Sequence, residues 1–269
     1  MIKDITLGQY YKVDSIIHSL DPRVKLAITF IFLISLFIST NVFAYIFAFI
    51  FLLCEIILCK VPFSFIIRGL KSLLLLLFLS VIFNLFLTPG KTIISIGIFK
   101  ITYEGLVIAI KMGIRLVFLV IGSSILTLTT TPSKLTDGLE KALSFLKVFD
   151  IPIAEIALMM SIALRFIPIL IEETEKIMNA QMARGADFDK GNIVEKAKSL
   201  IPLLVPLFVS AFRRANDLAV AMEARCYTNS QNRTKLNPLK YSNIDFIAYI
   251  TLLIYIILIF LTRYIKIDM

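Results

Sequence analysis

VKLAITFIFLISLFISTNVFAYIFAFIFLLCEIILC, from Val24 to Cys59, carries two charges, Lys25 and Glu55. A helix that crosses a bilayer needs about 20 mostly apolar residues. This run is long enough for two such helices if it breaks near its middle. Ser39 to Asn41 supply the polar residues of a tight turn at that point. Working outward, a third apolar run extends from about Gly69 to Leu87 and stops at the turn residues TPGKT, Thr88 to Thr92. A β-rich stretch, IISIGIFKITYEG, follows and reads as a hairpin or a re-entrant connection. A fourth span is expected from about Leu106 to Leu128 and a fifth from about Ile244 to Leu261. The composition agrees. Of 269 residues 58% are hydrophobic, and the mean hydropathy of +0.89 is far above that of a water-soluble domain.

Between the fourth and fifth spans the pattern changes. From Thr131 to Lys240 charges are dense, yet apolar residues recur at three- and four-residue spacing, as in Leu135, Leu139, Leu143 and Leu146, or Ile162, Phe166, Ile169 and Ile177. This is the signature of amphipathic helices. LIPLLVPLFVSAF is too short before Arg213 and Arg214 to cross comfortably and reads as a buried or grazing helix. The fold class expected is an all-α integral membrane protein with about five spans plus long amphipathic helices. Residues 1–130 form a four-span membrane domain, 131–240 a cytoplasmic block and 241–269 a last transmembrane helix. The net charge of +9, with 28 Lys and Arg, concentrates before the first span, between the second and third, and in the 131–240 block. By the positive-inside rule these sides are cytoplasmic and the C-terminus is outside. The basic excess suits orientation and lipid contact rather than nucleic acid.

Several chemistries are excluded or weak. The three cysteines offer no disulfide framework, and the single histidine, His18, leaves no metal-ligand cluster or histidine-based acid–base pair. The N-terminal segment has no apolar core behind its first charges, so no cleaved signal is expected. PGKT resembles the tail of a phosphate loop, but Leu85 stands where that loop needs glycine. Lys111 and Arg115 lie four apart in the fourth span. Each is costly in hydrocarbon, about 2.5–3.5 kcal/mol on insertion scales, and is expected to face the bundle, water or a partner. In SLDPRVKL, Asp21 suits a helix N-cap, Pro22 the first turn, and Arg23 with Lys25 the membrane interface.

Two arginines share a setting. Arg184 lies between Ala183 and Gly185, and Arg225 between Ala224 and Cys226. Each ends a long helical pattern, from about Pro152 and from about Ile193, roughly 50 Å apiece at the helical rise. An arginine near a helix C-terminus favours the dipole, and glycine is a common stop. Two copies flanked by small residues also fit exposed knobs that enter carboxylate-lined grooves on a partner.

HSLDPRVKL, TLTTTPSKLTDGLEKAL, ALRFIPILIEETEKIMNAQMARG and SAFRRANDLAVAMEARCY occur in this order between His18 and Tyr227. Together they resemble the transmembrane T component of energy-coupling factor transporters, the CbiQ/EcfT family. The resemblance implies an L-shaped all-helical subunit with no catalytic residue or cofactor of its own. ATP would be bound by two ABC-type ATPase partners, and a membrane-embedded S component would bind a vitamin or other micronutrient. It implies ATPase docking by Ala183, Arg184 and Gly185 and by Ala224 and Arg225. Cys226 stands where the family usually has glycine, which would strain a left-handed turn. It also leaves Lys111 and Arg115 as bundle or S-component contacts, and Asp21, Pro22 and Arg23 as an interface anchor. A dedicated cobalt or nickel importer subunit is the nearest alternative. A stand-alone permease would want inverted repeats and broken mid-membrane helices. A membrane enzyme would want clustered acid, base or thiol groups, whereas Glu172, Glu173 and Glu175 read as a solvated helix face.

Overall fold

The computed structural model describes residues 10–39, 41–96, 99–149, 151–186, 188, 192–227 and 238–264. In chain order the elements are α1 (Ile16–Ser19), α2 (Pro22–Ile38), α3 (Val42–Cys59), α4 (Phe63–Leu87), β1 (Thr92–Ile96), β2 (Phe99–Thr102), α5 (Tyr103–Thr129) and α6 (Pro132–Ala142). A 3-10 turn (Leu143–Phe149), α7 (Ile153–Ala183), α8 (Ile193–Ser199), α9 (Ile201–Ala224) and α10 (Asn243–Tyr264) complete them. The described residues form two compact units, residues 10–142 with 239–264, and residues 143–227 with 238.

The first unit is built around α2. Val24, Ile28, Phe32 and Leu36 recur every four residues and so share one face. That face is buried against Tyr45, Ala48 and Leu52 of α3, Phe118 of α5, and Leu252, Tyr255 and Ile259 of α10. Gly122 of α5 makes room for the Phe32 ring, since a Cβ there would lie 2.8 Å from its edge. Gly138 does the same for α6, where a Cβ would meet Pro22 at 2.9 Å. The break expected at Ser39 to Asn41 is present: α2 stops at Ile38 and α3 starts at Val42. The β-rich stretch is an antiparallel hairpin, with Thr92 opposite Thr102 and Ile96 opposite Phe99. Residues 97 and 98 at its turn lie outside the described residues.

Among the described residues four helices are long and apolar enough to cross a membrane: Val42–Cys59, Tyr103–Thr129, Ile153–Ala183 and Asn243–Thr262. The pair Phe63–Lys71 and Leu73–Leu87, bent by 60°, makes a fifth if it is one span. This is the all-α membrane fold expected, with two differences in detail. α2 has 17 residues, about 25 Å at the helical rise, and is the bundle's central helix. α7, read from sequence as an amphipathic helix, also qualifies by length and composition.

The second unit pairs α7 with α9. The sequence pattern ran unbroken from Ile193 to Arg225, but the helix divides between Ser199 and Ile201. Pro202 at the start of α9 explains the division, because it has no N–H and its ring clashes with the carbonyl four residues back. The stripe from Leu135 to Leu146 divides likewise, α6 ending at Ala142 before the 3-10 turn. α7 has 31 residues and α9 has 24, about 47 and 36 Å.

Candidate docking site at two matched helix ends

Two cross-links register α7 against α9. Arg214 Nη2 donates to Glu173 Oε2 at 3.0 Å, and Gln181 Nε2 donates to the Pro202 carbonyl at 3.4 Å. Glu173, read as part of a solvated face, is thus the inter-helix partner of Arg214. Advancing along α7 from Glu173 to Gln181 moves back along α9 from Arg214 to Pro202, so the helices run antiparallel. Arg184 therefore lies near the start of α9 and Arg225 at its far end. The 23 residues from Pro202 to Arg225 set the two arginines about 35 Å apart.

The two ends are built alike. Arg184 has φ −87° and ψ 5°, and Arg225 has φ −92° and ψ 15°. The next residue is left-handed in both, Gly185 at φ 90° and Cys226 at φ 55°. Gly185 N–H donates to the Met182 carbonyl at 2.9 Å and Ala186 N–H to Gln181 at 3.0 Å. At the second end Cys226 N–H donates to Glu223 at 2.8 Å and Tyr227 N–H to Met222 at 3.0 Å. These crossed pairs are the Schellman arrangement, in which backbone N–H groups close the last carbonyls of a helix. The guanidinium groups are not needed for capping. Ala183, Arg184, Gly185, Ala224, Arg225 and Cys226 are all exposed. Neither arginine side chain has a partner among the described residues.

The other sequence candidates belong to the first unit. Asp21 caps α2, its Oδ1 accepting from Arg23 N–H at 2.9 Å. It also holds the Arg23 guanidinium at 3.0 and 2.9 Å, and that group lies over the Tyr241 ring at 4.0 Å. Burial alone would raise the Asp21 pKa, but the side-chain and backbone hydrogen bonds from Arg23 hold it below the usual carboxylate value. Pro22 takes the first helical position. Lys25, expected at the membrane interface with Arg23, packs inside the first unit. It is buried, and its Nζ donates to the carbonyls of His18 at 3.2 Å and Thr129 at 3.0 Å. Thr129 is the last residue of α5, so the ammonium sits where the dipole favours a cation. Arg115 Nη2 donates to the Ser39 carbonyl at 3.3 Å and the Tyr45 hydroxyl at 3.0 Å, closing the α2–α3 turn. Lys111 is half-buried, without a partner among the described residues.

Sequence reasoning missed Asp245. This buried carboxylate accepts from Ser242 N–H at 2.7 Å and from Asp21 N–H at 2.8 Å. It ties the N-termini of α10 and α2 together. The signal for half of this was present, since Ser242 and Asp245 have capping-box spacing.

A family profile described as CbiQ, cobalt transport protein, matches residues 14–236, a range that includes both arginine ends. The chain belongs to the CbiQ/EcfT family. Among its relatives are proteins named energy-coupling factor transporter transmembrane protein EcfT. The one from Clostridium kluyveri is 50% identical over 98% of each chain. That from Ruminiclostridium cellulolyticum is 49% identical over 91% of this chain and 92% of its own. That from Bacillus subtilis is 44% identical over 98% of this chain and 100% of its own. This CbiQ/EcfT member is accordingly a multi-pass membrane component of a transporter, of the T-component type.

Proposed function

We propose that this protein couples two ABC-type ATPases to a membrane-embedded S component in an energy-coupling factor importer. The observation that carries the reading is the pair of matched helix ends. Each presents an exposed arginine without a partner among the described residues, on a backbone closed without it, and the two stand about 35 Å apart on one helix pair. Such spacing suits two separate subunits better than one groove. Each guanidinium can take a bidentate bond from a carboxylate. ATP-driven closure of the ATPases moves both arginines, and the paired helices carry that motion to the S component. Transmission requires each partner to bind two states of the assembly differently.

In this reading the N-terminus and residues 131–240 are cytoplasmic and the C-terminus is outside, as the basic residues favour. The chain itself performs no catalysis and holds no cofactor, and the vitamin or micronutrient is chosen by the S component. Affinity purification in mild detergent tests the reading. Two ATPases and a small hydrophobic protein should accompany the chain. A chain that purifies alone and transports unaided would favour a permease. A partner set restricted to cobalt or nickel uptake would favour the dedicated metal importer suggested by the family's description.

A further inference from the structure

A cavity of about 320 Å³ opens in the first unit. Its walls are Ile28 and Thr29 of α2, Phe47 and Ile50 of α3, and Ile247 and Ile254 of α10, among others. Ile50, Ile247 and Ile254 are half or more exposed, so the cavity is a groove on the face that hydrocarbon surrounds. One basic and one acidic side chain, Lys25 and Glu55, line it. Each stands fourteen residues from the α2–α3 turn at Ser39 to Asn41, which sets both about 21 Å along adjacent antiparallel helices. They share one depth, close to the ends of α2 and α3 where headgroups begin. Lys25 Nζ spends two of its three N–H groups on carbonyls, and Glu55 has no partner among the described residues. An unpaired acid at this depth marks a binding role before a structural one.

We propose that this groove binds one aminophospholipid. An acyl chain lies along α3 and α10 from Glu55 toward Phe47, about 12 Å of helix, against a leaflet depth of about 15 Å. The phosphate takes the free N–H of Lys25, and the ammonium group donates to Glu55. A headgroup with both signs matches a wall with both signs. An anionic lipid would set a bare negative group beside Glu55, and a choline headgroup has no N–H to give. The inference is independent of the ATPase reading and rests on the membrane fold alone.

The full chain, reconstituted in vesicles of equal parts phosphatidylethanolamine, phosphatidylcholine and phosphatidylglycerol, is re-extracted and examined by native mass spectrometry. One retained phosphatidylethanolamine per chain is expected. Glu55→Gln should reduce its preference over phosphatidylglycerol by about tenfold, the worth of one charge-assisted hydrogen bond. Thr251→Phe, which fills the groove, should abolish retention. The unaltered chain gives a second readout, because Cys54 lines the groove and Cys59 is buried. N-ethylmaleimide labelling of Cys54, followed by peptide mapping, should slow when phosphatidylethanolamine is returned to detergent-purified protein. Unselective retention that Thr251→Phe leaves unchanged, or Cys54 labelling indifferent to the lipid, overturns the proposal. So does protection of Cys54 that requires a partner protein instead of lipid.

Discussion

Arg184 and Arg225 occupy the same position of the same helix terminus, each followed by a left-handed residue, Gly185 at φ 90° and Cys226 at φ 55°. The match extends to the two crossed backbone hydrogen bonds at each end. What differs is the cost. Glycine reaches this region freely, whereas a residue with a Cβ pays about 1–2 kcal/mol.

Cys226→Gly should therefore stabilise its helix end by about 1 kcal/mol, and Gly185→Ala should destabilise the other by a similar amount. Hydrogen–deuterium exchange at the amides that close each terminus reads this directly. Protection of Tyr227 should rise about fivefold in the first variant, and that of Ala186 should fall about fivefold in the second. Equal exchange in parent and variant would mean that the left-handed turn carries no strain.

Asp245 holds two helix N-termini through two backbone N–H groups inside the first unit. Asp245→Ala leaves both donors buried and unsatisfied and should cost about 3 kcal/mol, whereas Asp245→Asn, which keeps one acceptor oxygen, should cost about half as much. Thermal unfolding of the detergent-solubilised chain checks the order. An alanine variant as stable as the parent would show that water satisfies those donors.

The His18 ring accepts from the Ser15 hydroxyl at Nδ1, 2.7 Å, and donates from Nε2 to the Tyr11 carbonyl, 2.9 Å. Both bonds suit the neutral ring. Burial holds its pKa below the ordinary 6.5, outweighing the Tyr11 hydrogen bond. The folded chain thus binds fewer protons here than the unfolded one. The contribution of His18 is complete above pH 6.5 and is lost as pH falls through the lowered folded value. Between about pH 7.5 and about pH 5.5 the thermal midpoint of the parent should fall further than that of His18→Gln. Parallel curves for the two would remove His18 as the titrating group.

Much of this was open to sequence reasoning, for identifiable reasons. The apolar run from Val24 to Cys59 and its polar break specify two helices and their turn through local chemistry alone. Asp21 and Pro22 announce a helix start in the same way. Gly185 announces a left-handed stop, but Cys226 does not, because nothing local marks cysteine for that conformation. Pro202 broke a helix whose hydrophobic period continued across it. Asp245 was hidden because its second partner, Asp21, lies 224 residues away. Glu173 looked like one of several solvated acids, and only the packing of α9 selects it for Arg214. Lys25 was read as an interfacial anchor, because sequence gives a cation its depth but not the two carbonyls that receive it.

The central claim is that Arg184 and Arg225 are docking groups rather than helix caps. The most direct measurement is co-purification of both ATPases with the Arg184→Glu, Arg225→Glu double variant, beside each single variant. Losing a buried bidentate pair costs about 2–5 kcal/mol, and charge reversal adds repulsion. The expected result is loss of one ATPase with each single change and of both with the double, with membrane insertion unchanged and lysine at either position only partly effective. A double variant that still purifies with both ATPases and supports ATP-driven uptake would contradict the docking role and leave the arginines as surface residues of two well-capped helices.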